Sequence, residues 1–206
     1  MFYEPKNGHG LTHDPIKACV VPRPIGWIST ISRDDVNNLA PFSFSNLVSS
    51  SPPMFMFSCN GAHPEGDAKD SALNARDTGE FVYNLVTWET RKAMITSSML
   101  VGRAEDEFEL AGLTKAPSVL VKPPRVAEAP ISLECKTWKT IELPAAKPDI
   151  HNIMVLGEVV GVHIADNALD DDLIDTVGLR PVARLGYLDY LVVDGAFAIE
   201  EGEDND

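Results

Sequence analysis

Positive charge is scarce in this chain. Its 206 residues carry 17 Lys and Arg against 31 Asp and Glu, a formal net charge of −14. Phosphate backbones and anionic lipid surfaces are bound by clustered bases, and the densest cluster here is the pair Arg91-Lys92. Nucleic acid and membrane are therefore excluded as partners. Long apolar runs are missing as well, none approaching the roughly 18 residues of a membrane helix. The opening Met-Phe-Tyr-Glu-Pro-Lys has no basic-then-apolar pattern, and no Asn-x-Ser/Thr acceptor occurs. Cysteine is limited to Cys19, Cys59 and Cys135, far apart among apolar neighbours. The expectation is buried, reduced thiols in a cytoplasmic protein rather than a disulfide framework. The common chemical motifs are absent too: there is no G-x-G-x-x-G, P-loop, C-x-x-C, H-E-x-x-H or G-x-S-x-G. His9 and His13 lie in a Gly-rich segment that ends at Pro15, where no shared helical face is expected, so no metal site is assigned.

The acid that is present is clustered. Glu105–Glu109, Asp166–Asp175 and Glu200–Asp206 hold 14 of the carboxylates, and the 17 that remain balance the 17 bases. The tail from 200 to 206 is expected to be mobile. A content of 44% hydrophobic and 23% charged residues suits one globular domain, residues 1–199, with its core at about 15–198.

Strand patterns dominate. Lys17–Val21 and Ile25–Ser32 read as strands separated by Pro22 and Pro24. The Asp34-Asp35 turn returns Leu39–Phe44 as the other arm of a hairpin. Pro53–Cys59 is continuously apolar, as in a strand buried on both faces. Asp67–Thr78 reads as a helix capped by Asp67 and stopped by Gly79. Glu80–Val86 follows as a strand, then Trp88–Met99 and Glu105–Ala111 as helices, and 117–130 as a proline-rich connector. Ile131–Leu143 alternates, with Ser132, Glu134 and Lys136 assigned to the exposed face. Asn152–Ile164 is a long strand in which Gly157 and Gly161 mark bulges or close backbone approach. Leu188–Val193 and Ala196–Ile199 suggest a last hairpin around Asp194-Gly195. Many strands with helices inserted rather than alternating favour an antiparallel barrel over a βαβ sheet.

Small hydroxyl residues gather beside aromatics: Trp27, Ser29 and Thr30; Ser43, Phe44, Ser45 and Asn46; and Ser49, Ser50 and Ser51 before Pro52-Pro53. Hydroxyls and backbone N–H groups at turns can cradle a phosphate without net positive charge, although edge strands and ST-turns use the same residues. Lys69-Asp70-Ser71 at a helix start would supplement such a cradle, or would simply cap a solvated helix.

These segments, in order, carry a resemblance. Pro22-Arg23-Pro24-Ile25-Gly26-Trp27-Ile28-Ser29-Thr30, Asn38-Leu39-Ala40-Pro41-Phe42-Ser43-Phe44-Ser45-Asn46, Ser49–Pro53, Lys69-Asp70-Ser71, Asp77–Leu85, Asp106-Glu107-Phe108, Gly157-Glu158-Val159 and Pro181–Gly186 resemble the flavin reductase-like, FMN-binding split-barrel family. Its nitrilotriacetate monooxygenase reductase and flavoredoxin branches are nearest in length. The resemblance implies a mostly β fold, a six-stranded antiparallel split β-barrel with helical insertions, paired as a homodimer with the flavin near the interface. It implies FMN, or FAD, as the flavin, NAD(P)H as co-substrate, and in some members a separate oxygenase component. An electron carrier without nicotinamide activity and a flavoenzyme acting directly on a small organic substrate remain alternatives.

Carried onto this chain, Trp27, Ser29 and Thr30 would line the isoalloxazine. Ser43, Phe44 and Asn46 would meet the ring and its polar edge, and Ser49, Ser50, Ser51, Lys69 and Ser71 would hold the phosphate. Arg184 and Tyr190 would approach the flavin, and His151 would stand on the nicotinamide side as the catalytic residue. Ser45, Ser51 and Tyr187 depart from the residues usual at those places. None of the acidic stretches overlaps this proposed pocket.

Overall fold

A computed structural model of the chain describes residues 1–199, so the acidic tail lies outside the described residues. Seven strands form one antiparallel sheet: β1 (Gly26–Ile31), β2 (Asn37–Phe42), β3 (Ser45–Ser50), β4 (Pro53–Asn60), β5 (Glu80–Leu85), β6 (Ile131–Leu143) and β7 (Asn152–Ile164). Their order is β2-β1-β5-β6-β7-β4-β3. The two edge strands are consecutive in the chain yet do not pair with each other, so the sheet curls into a barrel left open along one seam. The mostly β split barrel is as expected, with seven strands in the sheet rather than six. Between β4 and β5 lies α1 (Asp70–Thr78); α2 (Arg91–Thr96) and α3 (Glu107–Leu110) follow β5. A small sheet of Arg23–Pro24, β8 (Val182–Arg184) and β9 (Tyr190–Val192) sits beside the barrel.

Two cores result. Inside the barrel, Ile28, Phe42, Phe55, Phe57, Phe81, Cys135 and Val155 meet Ala68, Ala72 and Ala75 of the α1 segment, which closes the interior. The small side chains of α1 let it pack closely. The second core lies outside the wall, where Trp27, Leu39, Met94, Phe108, Val126 and Val182 join β1 and β2 to α2, α3, the connector and β8. Strand β1 is therefore buried on both faces, which is why its sequence does not alternate.

Gly79 ends α1 in the left-handed conformation at φ 77°, as expected of a C-terminal stop. The cap is Lys69 rather than Asp67; Asp67 stands three residues before the helix at φ 63°. Lys17–Val21 is not a strand: Ile16–Ala18 forms a 3-10 turn started by Pro15, on a segment that pairs with no strand. The helix expected over Trp88–Met99 narrows to α2, preceded by a turn in which Thr90 Oγ1 accepts from the Thr87 N–H. The expected last hairpin is absent, because β9 pairs back onto β8 instead. Cys59 and Cys135 are buried as expected, whereas Cys19 is exposed.

Cys135 and Leu133 of β6 face the barrel core as expected, but the opposite face of its first half is covered rather than exposed. Ser132 and Glu134 are fully buried, because the proline-rich connector folds over them. Glu134 accepts the N–H groups of Val119 and Leu120 at 2.8 and 2.6 Å and His163 Nε2 at 2.5 Å. Asn84 Oδ1 takes the Val126 N–H at 2.9 Å and the Ser132 hydroxyl at 2.9 Å. A polar alternation here marks a second covered surface rather than solvent.

Candidate functional site

A cleft follows β2 from Asn38 to Ser43. At one end it meets the start of α1, where Lys69, Asp70 and Ser71 line it with His63, under a roof of residues 97–101. Its middle section, of about 200 Å³, is walled by Pro41, Ser43, Met94, Ser98, Arg184 and Tyr190. Pro41 and Ser98 are common to these two sections. Met94 and Tyr190 also border a wider apolar cavity of about 470 Å³ beyond.

The floor is a hydrogen-bonded network. Ser71 donates to Asn38 Oδ1 at 2.7 Å, and the Asn38 amide donates to Glu107 Oε1 at 2.9 Å. The other Glu107 oxygen accepts the Leu39 N–H at 2.9 Å. Burial pushes the Glu107 carboxyl above its ordinary range, and these bonds only partly offset it. Asp70 is compensated by Arg103, which also donates to the carbonyls of Gly66 and Ala68 at 2.6 and 3.1 Å. His63 Nδ1 accepts from the Glu65 N–H at 3.1 Å, which leaves Nε2 to donate to the Val101 carbonyl at 3.0 Å. Lys69 is half-buried and, among the described residues, enters no ion pair. The lining thus offers one uncommitted cation at a helix start, where the first N–H groups lack intrahelical acceptors.

Of the residues named from the sequence, Ser43, Lys69, Ser71, Arg184 and Tyr190 come together on this cleft. Trp27, Ser29 and Thr30 do not: their side chains are fully buried, since β1 is covered on both sides. Their role is support. Trp27 Nε1 donates to Ser97 Oγ at 2.8 Å and so holds the roof, while Thr30 donates to Asn38 in the floor at 3.2 Å. Ser29 donates to the Pro124 carbonyl and pins the connector. Phe44 is half-buried beneath Arg23, whose guanidinium lies 5.9 Å from the ring centre. Asn46, Ser49, Ser50 and Ser51 lie along the edge strand β3 and the turn after it, off this chain's own cleft.

His151 lines a separate depression at the end of the β6–β7 hairpin, with Lys147 and Ile150. Its Nε2 is 4.0 Å from Asp67, at the Lys69 end rather than the Ser43–Tyr190 end. The charge expectation needs correction too: Glu107, from the first acidic stretch, is part of the cleft wall. Sequence reasoning also missed Pro41, Met94 and Ser98 as lining. Pro41 lies within a quoted motif, but nothing in the pattern of the segment around Met94 and Ser98 separates a helix roofing a cleft from an ordinary packed helix.

An antiparallel split barrel with a polar cleft beside its open seam defines a class of fold that comparison makes specific. Residues 18–182 match the family described as the flavin reductase like domain, and the chain belongs to that family of flavin-binding proteins. An uncharacterized protein of Aquifex aeolicus is 41% identical over 168 residues, covering 81% of this chain and 82% of its own. Nitrilotriacetate monooxygenase component B from Bacillus cereus superposes with a TM-score of 0.88 at 27% identity, over 97% of this chain and 98% of that one. The 2-nitrobenzoate 2-nitroreductase NbaA of Pseudomonas fluorescens gives 0.78 at 26% identity, over 90% and 87%. Among the described residues no helix is long and apolar enough to cross a membrane.

Proposed function

We propose that this protein is an FMN-binding NAD(P)H:flavin oxidoreductase that works as a homodimer in the cytoplasm. The observation that carries the reading is the uncommitted Lys69 beside Ser71 at the start of α1, opening onto a cleft walled by Pro41, Met94 and Tyr190. An anionic head with a flat ring behind it suits that order of chemistry. The likeness to nitrilotriacetate monooxygenase component B supports a reductase that serves a separate oxygenase.

In this reading Lys69 and Ser71 hold the phosphate, and Ser43, Ser98 and Arg184 hydrogen-bond the polar edge of the ring. Pro41 and Tyr190 confine its faces. Bound FMN supplies the two-electron acceptor for a hydride from the nicotinamide. The protein's share is to position the reactants and limit water. Asn46 and Ser49–Ser51, on the open edge strand, and His151, out of reach of its own ring section, are assigned to the cleft of the second copy. The test is nucleotide oxidation by the purified protein. NADH or NADPH should be consumed only when flavin is present, and no consumption with either nucleotide overturns the reading. The NbaA likeness favours one alternative, direct reduction of a small organic substrate at the same cleft.

A further inference from the structure

The wider cavity beyond Tyr190 is chemically unlike the rest of this acidic protein. Its walls are Met94, Ile95, Val182 and Val192, with Trp88 and Tyr190 completing the lining; Arg180 stands 5.3 Å from the Trp88 ring centre and Arg184 4.4 Å from that of Tyr190. Among the described residues Arg91 and Lys92 are its only charged lining, and no carboxylate borders it. The nearest acid in sequence, Glu89, is turned to Arg180 at 4.0 Å. The Arg91 guanidinium lies 3.5 Å from the Trp88 ring centre. That stacking, together with a bond to the Trp88 carbonyl, fixes the guanidinium and leaves other N–H groups free. At about 470 Å³ the cavity has the size of a small-molecule site.

An apolar cavity of this size suits a ring, and a fixed guanidinium selects a carboxylate, which it can grip through two parallel N–H bonds. In a chain of net charge −14 an opening whose charged lining, among the described residues, is basic is a place where an organic anion is attracted. A cation is repelled there, and a neutral ring leaves Arg91 without a partner. We propose that this cavity binds an aromatic carboxylate, its ring against the apolar lining of Met94, Ile95, Val182 and Val192 and its carboxylate on Arg91. The site adjoins the cleft through Met94 and Tyr190, so its occupant sits beside whatever fills the middle section. The inference does not rest on the flavin assignment.

The experiment is calorimetric titration of the full-length protein with benzoate and with benzamide, the same ring without the charge. Benzoate should bind once per chain, and benzamide at least about tenfold more weakly. Arg91→Gln should cost benzoate about the same factor and erase the difference between the two probes. Ile95→Asp, at a position 47% exposed and so compatible with folding, should place a repelling carboxylate on the rim and abolish benzoate binding. Lys69→Ala should leave benzoate affinity unchanged, which separates this site from a failure of the flavin reading. No saturable heat with benzoate, equal affinity for the two probes, or affinity indifferent to Ile95→Asp overturns the proposal.

Discussion

Gly157 of β7 lies flat against the ring of Phe81. A Cβ at Gly157 would stand 2.4 Å from Phe81 Cε1 and 2.7 Å from its Cζ, with the Lys136 carbonyl 3.1 Å away on the other side. Phe81 has nowhere to retreat, being fully buried with its ring edge-on to Phe57 at 5.1 Å. The register of β7 against β6 also shifts at this point. Gly157→Ala should therefore overpack the barrel and cost about 1–3 kcal/mol. In urea unfolding the midpoint should fall with the slope unchanged. A midpoint equal to wild type would show that the ring can move aside.

Lys69→Ala should weaken FMN by about tenfold or more and riboflavin far less, because only FMN carries the phosphate that Lys69 is assigned. Quenching of flavin fluorescence on titration measures both affinities. An equal loss for the two flavins would refute the phosphate role.

Much of this architecture was legible from residues whose constraint is local. The continuous apolar run Pro53–Cys59, the alternation of Ile131–Leu143, the Gly79 stop and the Gly157 and Gly161 irregularities each record backbone geometry that the neighbouring chain imposes. What could not be read depends on distant segments. Ser132 and Glu134 look solvent-facing until the connector folds over them, and Trp27, Ser29 and Thr30 look available until α2, α3 and the connector cover β1. The cleft was half legible for the same reason: Lys69, Ser71 and Ser43 follow motif order, whereas Met94 and Ser98 join them only through packing between elements.

The position of His151 makes a separate prediction. If it serves the cleft of the second copy, as proposed, a Lys69→Ala protein and a His151→Ala protein, each of low activity at FMN well below saturation, should complement each other. In a mixed dimer, one cleft combines an intact Lys69 from one chain with an intact His151 from the other. Co-refolding equal amounts should restore about a quarter of wild-type activity, since half the dimers are mixed and each has one complete cleft. NADH oxidation with FMN, compared before and after mixing, is the readout. No recovery would place His151 outside the reaction or within its own chain's cleft.

Glu134 gives the clearest pH dependence. Burial raises its carboxyl, but the bonds from His163, Val119 and Leu120 outweigh that and hold it below the ordinary carboxylate range. A folded-state value below the unfolded one means that the ionised group adds stability above the unfolded value, and that this contribution fades as pH falls through the folded one. Glu134→Gln turns one of the two accepting oxygens into a donor that faces the Val119 or Leu120 N–H, so it should cost about 1–3 kcal/mol at neutral pH. The gap between wild type and variant should be flat near pH 7 and narrow below about pH 4.3, where the unfolded carboxyl takes up its proton. Urea unfolding of both proteins across pH 3 to 8 measures this. A gap that stayed constant down to the lowest pH would mean that Glu134 holds the connector by shape alone and that its charge contributes nothing.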